Sequence, residues 1–151
     1  MISYMPPVDA SLGPAHRPHS VHSSAGLAPG TAESVVVLPF NDADACETIL
    51  RDNAADLAAV IIDPLSTATG LVLPQRAFLD RLRAVTRELG ILLIFDEIVS
   101  FRLSMGGTQG AYEIDPDLTC LAKVIAGGTA GGGTVGACST SSVGTRNSGN
   151  G

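Results

Sequence analysis

The sequence has one lysine, no tryptophan and few aromatic side chains, 4% in all. With so few basic groups and a net charge of −6, it is a poor nucleic-acid binder, because phosphate contacts need clustered Lys and Arg. Four arginines do fall between Arg76 and Arg87, but they are spread along one predicted helix and read as a solvated face. Cysteine is scarce too. Cys46, Cys120 and Cys138 form no close pair. Their odd number argues against a disulfide framework and for a reducing, cytoplasmic setting, and no pair has zinc-motif spacing. No apolar run approaches the ~20 residues of a membrane helix, and the first residues do not read as a signal peptide. His16, His19 and His22 recur at intervals of three, but Pro18 interrupts any helix that would align them, so no metal site is expected.

What is present is aliphatic. The chain is 45% apolar, and Ala, Val, Ile and Leu carry most of that share, as suits helices packed on a parallel sheet. At 151 residues it is one domain's worth of chain, or part of a larger one. Residues 1–33, rich in Pro, Gly, Ser and His, read as loop or disorder. Val35-Val-Val-Leu38 predicts a short buried strand. A helix capped by Asn41 or Asp42 follows through Arg51, then a strand over Ala58–Ile62, stopped by Asp63-Pro64. Phe78, Leu79, Leu82, Val85 and Leu89 form one stripe of an amphipathic helix beginning at Gln75 and closed by Gly90. Ile91–Phe95 is apolar throughout, which predicts a strand covered on both faces, and a shorter strand is expected over Leu118–Ala122. Strands alternating with helices imply an α/β fold with a mostly parallel sheet. The ordered domain is expected over 34–128, and residues 129–151 read as a disordered Gly/Ser/Thr-rich tail.

In such sheets ligands bind at the carboxyl ends of the strands. Asp63, Asp96 and Lys123 all fall there. A carboxylate at a strand tip can hold a protonated ring nitrogen. An amine within reach of an aldehyde on the same ring can form a Schiff base and then shuttle a proton. Lysine suits that role because its pKa shifts readily on burial. Together the pair describes pyridoxal-phosphate chemistry.

At these residues the sequence resembles the class III pyridoxal-phosphate aminotransferases. The resemblance lies in Phe95-Asp-Glu-Ile-Val-Ser-Phe-Arg102, Gly106-Gly-Thr-Gln109, Asp115-Pro-Asp-Leu118 and Leu121-Ala-Lys-Val-Ile-Ala-Gly-Gly128. Upstream, Pro39-Phe-Asn-Asp42 and Ala59-Val-Ile-Ile-Asp-Pro64 keep the same order. Phe-Arg followed by Gly-Gly-x-Gln is most similar to the glutamate-1-semialdehyde 2,1-aminomutase branch. The resemblance implies the large α/β domain of fold type I, a homodimer, and a small amino acid or amino-aldehyde as substrate. It also implies that Asp96 pairs with the pyridine nitrogen, that Lys123 forms the Schiff base and that Ile98 packs on the ring. Asp63 stands where the family usually has Glu before Pro.

There are departures as well. No Ser-Gly-Thr-type turn for the phosphate and no stacking aromatic residue is recognisable upstream. Gly144-Thr-Arg-Asn-Ser-Gly-Asn150 echoes a segment whose threonine reaches the partner subunit's phosphate. A fragment or frame-disrupted copy with impaired cofactor binding is therefore expected. Two other readings stay open. One is a non-catalytic α/β remnant or interaction module. The other is an ATPase with Ile91–Glu97 as a Walker B strand, although Lys123 precedes its glycines, contrary to a phosphate loop.

Overall fold

The computed structural model describes residues 12–22, 25–66, 70–127 and 129–136. Helix α1 spans Ala43–Asp52, strand β1 Ala59–Ile62, helix α2 Arg76–Leu89 and strand β2 Leu92–Asp96. A 3-10 turn, Ser100–Leu103, leads to the short helix α3, Gly107–Tyr112. Strand β3, Leu118–Ala122, then runs directly into a second 3-10 turn, Lys123–Ala126, before strand β4, Gly132–Gly136. The strands lie in the order β1-β2-β3-β4. The first three are parallel, with Ile62 opposite Phe95 and Asp96 opposite Cys120. β4 is antiparallel to β3. Among the described residues no helix is long and apolar enough to cross a membrane.

Local chemistry accounts for the helix limits. Asp42 Oδ1 accepts the Ala45 N–H at 3.1 Å and caps α1. Asp42→Ala is expected to cost about 1 kcal/mol, measurable as a lower urea midpoint at unchanged slope. α2 ends at Gly90, whose φ of 71° is left-handed and favours glycine over any residue with a Cβ.

The core lies between the helices and one face of the sheet. Leu50 and Cys46 of α1 meet Phe78, Leu79, Leu82 and Val85 of α2 over Val60, Ile62, Leu93 and Phe95. The Phe78 ring is tilted against Phe40, with centroids 5.4 Å apart. Burial, aided by the charge on Asp42, pushes the Cys46 thiol up to about 12, so it packs here as a neutral residue.

Two expectations about strands need correction. Val35–Leu38 forms no strand, and Val35 and Val36 are each 38% exposed. β-branched residues favour extended backbone, but a strand needs a neighbour to share its ladder, and this segment has none among the described residues. β2 is covered on one face only. Leu93 and Phe95 are fully buried, while Leu92 is 46% exposed and Ile61 of β1 63%. The apolar run correctly marks a strand, but α1 and α2 both belong to the core on the Leu93–Phe95 side. A further difference is β4, which lies inside the segment expected to be a disordered tail. It is exposed throughout, so its order comes from pairing with β3 instead of apolar burial. Residues 137–151 lie outside the described residues.

The arginine-rich helix divides. Arg76, Arg81 and Arg87 are exposed, with Arg76 paired to Asp80 and Arg81 to Glu47 of α1. Such surface pairs add little stability. Arg83 is buried instead. Its Nη1 donates to Asp117 Oδ2 at 2.8 Å, and the same oxygen accepts the Leu93 N–H at 2.7 Å. Burial pulls the Asp117 carboxyl upward, but the Leu93 N–H and the Arg83 guanidinium outweigh it and hold its pKa below the ordinary value. A depressed folded pKa contributes stability above the unfolded value of about 3.9 that is lost as pH falls further. Urea midpoints should therefore drop below about pH 4, and Asp117→Asn should flatten that part of the profile.

Candidate active site at the strand tips

The carboxyl ends of three adjacent parallel strands bring the sequence-predicted residues to one edge. Ile62 is opposite Phe95, so Asp63 and Asp96 follow at equivalent positions. Cys120 is opposite Asp96, and Lys123 follows directly on Ala122, the last residue of β3. Side chains alternate across a strand. With Leu93 and Phe95 turned into the core, Asp96 falls on the uncovered face with Leu92 and Ile94.

Asp96 is half-buried. Its Oδ1 accepts the Ile98 N–H at 3.1 Å, so Asp96 and Ile98 share one turn. This is one hydrogen bond on a group with about four acceptor positions, which leaves capacity for a second donor. Asp63 Oδ1 accepts the Leu65 N–H at 3.0 Å across buried Pro64, and so shapes the loop after β1.

Lys123 is exposed and begins the 3-10 turn with a φ of 52°. That left-handed conformation costs a non-glycine residue about 1 kcal/mol or more. The chain thus leaves β3 abruptly at its only lysine. The turn borders an open hollow of about 460 Å³ lined by Lys123, Val124, Gly127 and Thr129. Its volume is in the range of small-molecule sites. Asp96, Ile98 and Asp63 are not among its lining residues. The amine and the carboxylate therefore share a sheet edge, while the hollow belongs to the amine alone. A pyridoxal-phosphate ring fits the donor set: a primary amine beside open space, and a carboxylate with spare acceptor capacity on the neighbouring strand. The Gly144–Asn150 echo lies outside the described residues.

Sequence reasoning missed Glu97. It is 0% exposed and accepts the N–H groups of Thr108, at 2.6 Å, and Gln109, at 2.9 Å. The signal was available: two acids in succession after a buried strand must point to opposite faces, so one of them is carried inward.

Comparison with known proteins gives a consistent answer. The sequence profile described as aminotransferase class-III matches residues 20–146. Over 106 residues the chain is 50% identical to the glutamate-1-semialdehyde 2,1-aminomutase of Roseiflexus castenholzii, covering 70% of this chain and 24% of that protein. It spans about a quarter of the length of the curated relatives it matches. The crystal structure of an omega-transaminase from Sphaerobacter thermophilus superposes with a TM-score of 0.81 at 41% identity, over 86% of this chain and 30% of that one. A glutamate-1-semialdehyde-aminomutase structure from Pseudomonas aeruginosa superposes with a TM-score of 0.62 at 35% identity, over 74% of this chain and 25% of the other. A transaminase solved with PLP bound gives 0.73 at 37% identity, over 78% and 27%. The mixed sheet with flanking helices is the α/β architecture of fold type I, and the chain belongs to the class-III aminotransferases.

Proposed function

We propose that this chain carries the lysine and the ring-binding carboxylate of a pyridoxal-phosphate site, in an aminotransferase or aminomutase of the glutamate-1-semialdehyde 2,1-aminomutase kind. The observation that carries this reading is the placement of Asp96 and Lys123 at the tips of adjacent parallel strands. Bound there, the cofactor supplies an aldehyde and an electron-withdrawing ring. Asp96 holds the ring nitrogen in its protonated form, because opposite charges stabilise each other. Lys123 provides the amine, and afterwards a group that can take and return a proton. Ile98, in the same turn as Asp96, supplies an apolar contact for the ring. Asp63 orders the neighbouring loop.

The substrate class that suits this chemistry is a small amino acid or amino-aldehyde, and the assembly we propose is a homodimer. We further propose that this chain holds the cofactor weakly, since phosphate is anchored by convergent N–H and cationic donors and the hollow at Lys123 offers few.

Titration with pyridoxal phosphate followed by borohydride reduction tests the reading. Mass mapping is expected to place one phosphopyridoxyl group on Lys123, with saturation only at high cofactor concentration. Labelling confined to the α-amino group would contradict the reading. Tight stoichiometric binding would contradict the weak-binding part alone.

A further inference from the structure

Asp96 and Glu97 divide between the two faces of the sheet. Asp96 points to the uncovered side, and Glu97 is carried into the protein. Beyond its two N–H donors, Glu97 Oε2 accepts from the Ser100 hydroxyl at 3.3 Å. No cation pairs with Glu97 among the described residues. A buried carboxylate without a cation is costly unless N–H donors replace the lost water. A glutamine would offer one acceptor oxygen where two backbone N–H groups converge. Charge at this position is therefore matched to the loop it holds.

That loop, in turn, joins the two strands of the site. The Glu97 N–H donates to the Cys120 carbonyl on β3 at 3.0 Å. Gln109, gripped by Glu97 through its own N–H, accepts from the Thr119 hydroxyl on β3 at 3.4 Å. Glu97 is thus tied to β3 twice, by backbone and through Gln109. Its preceding neighbour is Asp96, and β3 delivers Lys123. Gly107 makes the grip close. Its φ is +69°, and a Cβ there would lie 2.6 Å from Glu97 Oε2, an approach that only glycine allows.

We propose that Glu97 is a positioning residue for the Asp96–Lys123 pair. Through Thr108, Gln109 and Thr119 it fixes the end of β2 against β3, and so sets the separation of carboxylate and amine. The inference rests on the pyridoxal-phosphate reading above.

The test is a double-mutant cycle on the full chain with E97Q, D96N and the double variant. Each is titrated with pyridoxal phosphate, reduced with borohydride, and read as adduct on Lys123, alongside its melting curve. E97Q is expected to stay folded and to bind about tenfold more weakly, as when supports behind binding ligands are removed. Adding D96N to E97Q should then cost far less than D96N alone, because the two act through one contact. A purely structural role would lower the melting temperature but leave the two effects additive. Additivity, or unchanged binding in E97Q, overturns the proposal while the adduct on the parent chain still stands. A parent chain without the Lys123 adduct overturns both readings. Should E97Q fail to fold, Gln109→Leu, which cuts only the side-chain link to Thr119, carries the same expectation and the same overturning results.

Discussion

Lys123→Ala is expected to abolish the borohydride-stable pyridoxal-phosphate adduct on the body of the chain, while changing the unfolding free energy by no more than about 0.5 kcal/mol. The separation of the two effects follows from the site. Lys123 is exposed and lines the hollow, so its side chain contributes little packing. Alanine keeps the same strained φ as any residue with a Cβ, so the backbone cost is nearly unchanged. What disappears is the only side-chain primary amine in the sequence. Mass spectrometry after reduction reads the first effect, and urea unfolding the second. An adduct persisting at another side chain, or a large loss of stability, would show that Lys123 serves the fold instead of the chemistry.

The second large effect is on stability. Phe95→Ala is expected to cost about 3–5 kcal/mol, the usual range for a buried phenylalanine. A domain has only about 5–15 kcal/mol in total, so the variant should be marginal at room temperature. Phe95 is fully buried in the centre of the sheet, opposite Ile62 and Thr119. Leu92→Ala, on the same strand but half-exposed on the other face, should cost under about 1 kcal/mol, since little of the side chain is removed from water. Urea midpoints of the two variants test the one-sided core directly. Equal losses would mean that both faces of β2 are covered.

The elements that the sequence made legible were those whose local and tertiary preferences agree. In α2 the apolar stripe and the left-handed glycine at its end marked one helix, and the structure has it from Arg76 to Leu89. β1, β2 and β3 were legible as short aliphatic runs broken by turn residues. Where preference and pairing disagree, the reading failed. Val35–Leu38 has the composition of a strand but no partner among the described residues, whereas Gly132–Gly136 has a poor composition and a partner in β3. Hydrogen-bond pairing is a property of two segments, and one segment's composition does not reveal it.

The site was legible to a similar depth. Order along the chain placed Asp63, Asp96 and Lys123 at strand ends, because a parallel sheet collects its carboxyl termini on one edge. It did not show that the hollow lies beside Lys123 alone. Nor did it show that Glu97 is turned inward to grip the Gly106–Gln109 loop, since that depends on a three-dimensional path with a left-handed glycine in it.

In the proposed site the amine and the carboxylate share one ring. The direct measurement compares the parent chain with Asp96→Asn in two labelling reactions at Lys123: pyridoxal phosphate with borohydride, and a small amine-selective reagent with no ring nitrogen. If the ring is shared, Asp96→Asn weakens pyridoxal-phosphate capture by about tenfold or more, the worth of one charge-assisted hydrogen bond, and leaves the small reagent's rate unchanged. Equal capture of pyridoxal phosphate by both chains would contradict it.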